Sequence, residues 1–450
     1  MKIFDIRDYG ARICDELQTD AIQRAIDDCF LAGGGRVIIP CGVYLTGGLR
    51  IRSNVELYLQ TGAILKGSRD YLDYFGFTED RIEPVDMTQC PEGVGQSAWP
   101  TSRWCNGLIR ALDAENFAVV GEVGSYIDGV NCYDPEGEEK YRGPHGMSFW
   151  RCRGIRLEGY TFLNSANWCH AIFQSSDITI RGIKVLGGHD GVDLRTCDNA
   201  LIEDCDFSVG DDALAGFDNH DVIMRNCILN TSCIAVRFGG NNVTVEGCRA
   251  TASPFGHRKK LSDEGKKNGW MSDKNCRHAM QTPFSYYCDH RAVIRRPIEN
   301  FTIKNCSFEQ AFELIRVEFD GLHRWCCNRS MRQVAYENCT VKRLSETGMI
   351  WGDENEKITC HFKNVHITCE AGREDIPLLV AGNFDKIIFE NCTIEGYTDP
   401  TILLGTEGEV EIIRSTPITL KHVSFEECLN AHPHGIFSED LKLGRSFKFR

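Results

Sequence analysis

The sequence has no apolar stretch of about 18 residues, the length a membrane span requires, so no membrane contact is expected. Its start, Met1-Lys2-Ile3-Phe4-Asp5, goes straight into a strand-like pattern and lacks the apolar run of a signal peptide. Positive charge is scarce: 50 Lys and Arg stand against 64 Asp and Glu, a net −14. That balance argues against a nucleic-acid partner. It also repels polyanions unless a local basic patch compensates. No CxxC spacing marks a metal site, and neither a metal nor another cofactor is expected. Cysteine, by contrast, is plentiful at 23 residues in 450. The odd number, the chain length and the missing export signal point to reduced thiols in a cytoplasmic protein rather than a disulfide framework. The adjacent Cys326-Cys327 reads as two ordinary thiols.

What is present above all is a repeat. On one phase the chain reads Asp177-Ile-Thr-Ile-Arg-Gly-Ile, Ala200-Leu-Ile-Glu-Asp-Cys-Asp, Asp221-Val-Ile-Met-Arg-Asn-Cys and Asn242-Val-Thr-Val-Glu-Gly-Cys. It resumes as Asn300-Phe-Thr-Ile-Lys-Asn-Cys, Gln333-Val-Ala-Tyr-Glu-Asn-Cys, Lys386-Ile-Ile-Phe-Glu-Asn-Cys and Ile418-Thr-Leu-Lys-His-Val-Ser. Each is a short alternating strand followed by turn residues. A spacing of about 21 to 23 residues suits one solenoid coil per repeat. Leucine-rich repeats share the period but need a leucine/asparagine consensus that is missing. The expected fold is therefore all-β, a parallel β-helix running as one domain through residues 1–450, since a solenoid grows without splitting. Cys205, Cys227, Cys248, Cys306, Cys339 and Cys392 share one repeat position and should stack as an internal ladder.

A solenoid needs covered ends. Residues 20–32 predict a capping helix, with Asp20 as N-cap, Gln23 three residues on, and an apolar stripe of Ile22, Ala25, Ile26, Cys29 and Phe30. Gly33-Gly34-Gly35 should end it. From Asn430 onward the chain reads as irregular, a far cap or a contact with another subunit in a homo-oligomer. Two stretches interrupt the repeat and predict loops that build a binding face. Residues 68–107 hold Tyr71, Tyr74, Phe75, Phe77, Trp99 and Trp104, either sugar-stacking platforms or loop packing. Residues 253–297 hold ten Lys and Arg and four Asp and Glu, a local +6.

Two acidic clusters lie one repeat apart: Gly188-His189-Asp190-Gly191-Val192-Asp193 and Gly210-Asp211-Asp212-Ala213. Stacked coils would bring Asp190, Asp211 and Asp212 into one patch, where like charges raise some carboxyl pKa values. That setting suits general acid/base work on a glycosidic bond. Adjacent acids in a turn otherwise cost repulsion without structural gain. Asp193 is read as turn or ladder hydrogen bonding.

These residues resemble glycoside hydrolase family 28, the polygalacturonase family, in the pectin-lyase-like superfamily. The similarity runs through Phe4-Asp-Ile-Arg-Asp-Tyr-Gly-Ala, the glycine triplet, Ile39-Pro-Cys-Gly-Val-Tyr-Leu-Thr-Gly and Gly62-Ala-Ile-Leu. It continues through Ile127-Asp-Gly, Arg142-Gly-Pro and Asn164-Ser-Ala-Asn-Trp, covering about residues 1–250. The resemblance implies a single-stranded right-handed parallel β-helix. Of the family's NTD, DD, GHG and RIK clusters, the first aspartate falls on Asp190 and the pair on Asp211-Asp212. The GHG histidine is replaced at Ser232 or Cys233. The RIK cluster falls on Arg316-Val317-Glu318, arginine kept and lysine changed to glutamate.

The implied activity is inverting glycoside hydrolysis, with Asp211 as general acid and Asp190 and Asp212 activating water. His189, Arg195, Arg237, Arg316 and Glu318 are the expected substrate-binding residues. The substrate class is a pectin-type or related plant oligosaccharide, cut by exo-action on short imported chains. Two other readings stay open. One is a lyase or epimerase on the same fold, with Arg195 or Arg237 as base and calcium on the acids. The other is a non-catalytic carbohydrate-binding β-helix.

Overall fold

The computed structural model describes residues 1–74, 106–135, 142–256, 279–288, 295–319 and 329–432. Phe75, Phe77, Trp99, Trp104, Cys326-Cys327, most of the basic stretch and residues 433–450 lie outside them. The described residues form two compact units, one from 1–215 with 253–278 and one from 216–252 with 279–450.

In the first unit parallel strands stack coil on coil. Val37, Leu57, Val119, Leu157, Ile180 and Ile202 occupy successive in-register positions, and all are buried. A second parallel sheet runs from Gly42–Thr46 through Ala63–Gly67, Tyr126–Asp128, Thr161–Leu163 and Lys184–Gly187 to Asp206–Val209. The second unit repeats the plan. Val245, Ile303, Tyr336, Phe362, Phe389 and Ile412 follow one another in register. Its rings follow one another down that column, Tyr336 tilted against Phe362 at 5.3 Å and Phe362 stacked on Phe389 at 4.9 Å between centroids. These are the coils of a parallel β-helix, the fold class expected from the repeat.

The Asn-Cys ending of the repeats has a physical reason. The chain must turn between its sheets through the left-handed region, which asparagine tolerates best after glycine. Asn305, Asn338, Asn364 and Asn391 all sit there, with φ of 53–55°. Their amides form a ladder: Asn338 donates to Asn305 at 3.1 Å, Asn364 to Asn338 at 2.8 Å and Asn391 to Asn364 at 3.1 Å. The six ladder cysteines are all buried. Each thiol donates to the carbonyl two residues before it, as in Cys205 to Glu203 at 3.1 Å and Cys339 to Glu337 at 3.3 Å. In the second unit the Cys248 N–H also meets Cys306 Sγ at 3.4 Å, so the predicted stacking is observed there.

The N-terminal helix spans Thr19–Leu31 and lies against strands Ile3–Asp5, Gly35–Ile39, Leu49–Arg50 and Val55–Leu59. Its buried face is Ala21, Ile22, Ala25, Ile26 and Cys29. Phe30 is 41% exposed, not part of that face, and Arg52 lies over its ring. The start also differs from expectation. Asp20 is inside the helix, and Gln18 at the cap makes no side-chain bond. Thr19 Oγ1 instead accepts the Gly47 N–H at 2.8 Å. Gln23 accepts the Arg50 N–H at 2.8 Å and donates to its carbonyl at 3.0 Å. Tertiary docking, not a local capping box, therefore fixes this helix. It ends at the glycines: Gly34 has φ of 104°, and a Cβ there would meet the Asn54 carbonyl at 2.4 Å. At the other end of the chain the stretch read as irregular begins inside a helix, Phe425–Ala431. A capping box between Ser424 and Glu427 starts it. It covers Met349, Trp351 and Val380. Among the described residues no helix is long and apolar enough to cross a membrane.

Candidate active site

Strands His145–Trp150, His170–Phe173 and Val192–Arg195 lie parallel in the first unit. Met147, His170 and Val192 are level on the core side, and Trp150, Phe173 and Arg195 are level on the opposite face. The turn entering Val192–Arg195 carries His189 and Asp190, and the turn entering the next strand, Leu214–Arg225, carries Asp211 and Asp212. The Cys169 N–H donates to the Asp190 carbonyl at 2.9 Å, and the Gly191 N–H donates to the Asp212 carbonyl at 3.0 Å. The Asp212 N–H in turn reaches Asp190 Oδ1 at 3.3 Å. His170 pairs with Val192, so the local period is 22 residues. Asp212, not Asp211, is therefore level with Asp190, a one-residue correction to the expected stacking. Asp190, Asp211, Asp212 and His189 are all buried. Glycine between Asp190 and Val192 is obligatory, because a Cβ at Gly191 would lie 2.5 Å from the Ala213 carbonyl.

Arg195 is two residues from Asp193, on the same face of the strand, and both are buried. Its Nε donates to Asp193 Oδ1 at 2.9 Å and its Nη2 to Oδ2 at 3.2 Å. The guanidinium also lies 4.1 Å from the Trp168 ring centroid and 5.9 Å from that of Phe173, which stacks on Trp150 at 4.0 Å. Arg195 thus closes an aromatic shelf while answering Asp193. Below it, the Asn-Ser-Ala-Asn-Trp turn is pinned from several sides. Asn167 Oδ1 accepts the Trp168 N–H at 3.0 Å and Arg142 Nη1 at 3.4 Å. Asn164 donates to Asp128 Oδ1 at 3.1 Å. The Ile127-Asp-Gly aspartate is a brace for that turn.

The remaining predicted residues lie in the second unit. In-register pairing sets Arg237, Ser285, Arg316 and Met349 at successive levels. Arg237 lies 4.5 Å from the Tyr287 ring centroid. Arg316 Nε donates to Glu313 Oε2 at 2.9 Å, Nη2 to the other Glu313 oxygen, and Nη1 to Gln281 Oε1 at 3.2 Å. Glu318 Oε1 is 2.5 Å from His432 Nε2, and His432 Nδ1 donates to the Thr347 carbonyl at 2.7 Å. Burial works against the charge of Arg316, but the Glu313 carboxylate raises its pKa further. Burial likewise opposes a charged His432, yet Glu313 and Glu318 hold its pKa above the ordinary histidine value. Glu313 and His432 were not singled out in the sequence. Glu313 could have been, three residues before Arg316. His432 could not, since its partner is 114 residues away. Cys233, at the place of the family's histidine, is buried and its N–H donates to Thr231 Oγ1 at 2.8 Å.

A family model described as the right handed beta helix region matches residues 124–257 and 165–321. A probable polygalacturonase of Vitis vinifera is 28% identical over 222 residues, 46% of this chain and 43% of that protein. An exo-poly-alpha-D-galacturonosidase of Dickeya chrysanthemi is 43% identical over 74 residues, 16% of this chain and 12% of its own length. The chain thus spans less than half the length of these relatives. Among solved structures, the family 28 exopolygalacturonase of Yersinia enterocolitica superposes with a TM-score of 0.54 at 16% identity, covering 94% of this chain and 77% of that one. A tailspike protein of E. coli bacteriophage HK620 does so at 0.52 and 12% identity, covering 92% and 80%. Both structural likenesses concern the fold alone. With the strand pairing, these matches show a right-handed parallel β-helix that is similar over part of its length to polygalacturonases.

Proposed function

We propose that the chain is an inverting glycoside hydrolase of the family 28 kind. Its substrates are pectin-type or related plant oligosaccharides, cleaved by exo-action on short chains. The observation that carries the reading is the buried carboxyl patch of Asp190, Asp211 and Asp212, fastened by the Asp212 N–H to Asp190 contact. Buried carboxyls close to one another favour keeping a proton among them, which a general acid needs.

In this mechanism Asp211 gives its proton to the leaving glycosidic oxygen as the C–O bond breaks. Asp190 and Asp212 hold a water on the other face of the sugar and take its proton as its oxygen bonds to the anomeric carbon. His189, directly before Asp190 in sequence and buried like the acids, orients the sugar. Arg195 acts through Asp193 and the Trp168 shelf, not as a free cation. Glu313 fills the Arg316 fork, so that arginine is assigned no uronate carboxylate. The names of the curated relatives support a pectin-type substrate. The 18 described cysteines are all free thiols, which supports a reducing compartment such as the cytoplasm.

The test is product analysis of a panel of uronate-containing and neutral plant oligosaccharides in isotopically labelled water. Label in a cleaved product supports hydrolysis. Cleavage that leaves an unlabelled unsaturated sugar would replace it with a lyase.

A further inference from the structure

His170 occupies a core position. Its in-register neighbours on either side are the apolar Met147 and Val192, the edge of Phe162 packs on its ring at 5.8 Å, and none of its surface is exposed. A polar group there must be satisfied on both sides, and it is. Nδ1 lies 2.9 Å from the Gly191 carbonyl and Nε2 lies 2.9 Å from the Tyr160 hydroxyl. A carbonyl only accepts, so Nδ1 carries the proton and Nε2 accepts from Tyr160. Burial pushes the His170 pKa down to about 4, so the ring is neutral and keeps this one tautomer.

The target of that bond sets His170 apart from an ordinary satisfied core histidine. The Gly191 carbonyl already accepts the His170 backbone N–H at 3.2 Å. The Gly191–Val192 peptide, the second after Asp190, is therefore gripped twice by one residue. In the preceding peptide the Gly191 N–H donates to the Asp212 carbonyl. The two peptides flanking Gly191 together set where the Asp190 carboxylate meets the Asp212 N–H.

We propose that His170, buttressed by Tyr160, is a positioning residue that holds Asp190 in register with Asp212 through the Gly191 carbonyl. It rests on the hydrolase reading for its consequence in turnover, but not for its consequence in structure. Misplacing a reacting group by about 1 Å costs on the order of a hundredfold in rate.

Three variants separate the two bonds. His170→Asn places an amide donor where Nδ1 stood and gives up the Tyr160 contact. His170→Gln keeps an amide near Nε2 and gives up the Gly191 contact. His170→Met gives up both. Each is read by melting temperature, by kcat and KM on the cleaved oligosaccharide, and by hydrogen exchange of peptides containing Gly191 and Asp212. The expected result is near-parental turnover and protection in His170→Asn. His170→Gln and His170→Met should lose roughly tenfold to a hundredfold in kcat at unchanged KM, with faster exchange. Equal turnover and exchange in the Asn and Gln variants, following only their melting temperatures, would overturn the proposal. If the parent cleaves nothing in the panel, the hydrolase reading falls, and the exchange comparison still decides the role of His170.

Discussion

The buried acids of the first unit and the buried Glu313–Arg316–Glu318–His432 network of the second both sit at parallel strands of stacked coils, yet their carboxylates meet different groups. In the second unit each carboxylate faces a cation: Glu313 takes both arms of Arg316, and Glu318 takes His432. Two charges of each sign cancel, and the arrangement reads as structure. In the first unit Asp193 is answered in the same manner by Arg195. Three residues before it, Asp190 takes the backbone N–H of Asp212, another acid. Burying like charges together costs stability, and such a cluster is what proton transfer to a leaving group requires. In the proposed function the carboxyl cluster is the chemical site, and the cation-answered carboxylates are structural.

The largest effect should come from breaking the acid cluster. Asp211→Asn is expected to remove roughly a thousandfold or more of turnover while the circular dichroism spectrum is unchanged, within the span of general acid catalysis. Full activity in this variant would place the acid elsewhere. The second unit should respond the other way. Arg316→Met leaves Glu313 buried without its partner and should cost about 3–5 kcal/mol by denaturant unfolding. A variant as stable as the parent would show that the network contributes little.

A pH series sharpens the contrast. Because the His432 pKa is raised in the folded state, its stabilisation is complete below the ordinary histidine value of 6.5 and is lost as pH rises through the folded pKa. His432→Gln should therefore cost more unfolding free energy at pH 5.5 than at pH 9, by up to about 1.5–3 kcal/mol in denaturant unfolding. An equal loss at both values would mean that His432 is held neutral. Smallest of all, Cys339→Ala should cost about 1 kcal/mol of packing and leave turnover untouched. A change in kcat would give the thiol ladder a role beyond packing.

The repeat was legible because each coil writes its turn into the sequence. Asparagine, glycine or aspartate at the left-handed position recurs from coil to coil, in six of them followed by an inward cysteine. The three acids were legible for the same reason. Their exact register was not, because a period varying between coils leaves a one-residue ambiguity that only strand pairing resolves, and pairing of His170 with Val192 makes it 22. The helix start was misread because Thr19 and Gln23 bond to Gly47 and Arg50 rather than to their own first turn. Pairing of Arg195 with Asp193 follows from strand alternation, which sets residues two apart on one face. His432 lay beyond reach, since no local pattern joins it to Glu318.

The most direct test of the central claim is the anomeric configuration of the first product, followed by NMR during cleavage of a short pectin-type oligosaccharide. Water held by Asp190 and Asp212 and a proton from Asp211 predict an inverted anomer before mutarotation. A retained anomer would require a covalent intermediate and contradict the roles given to all three acids.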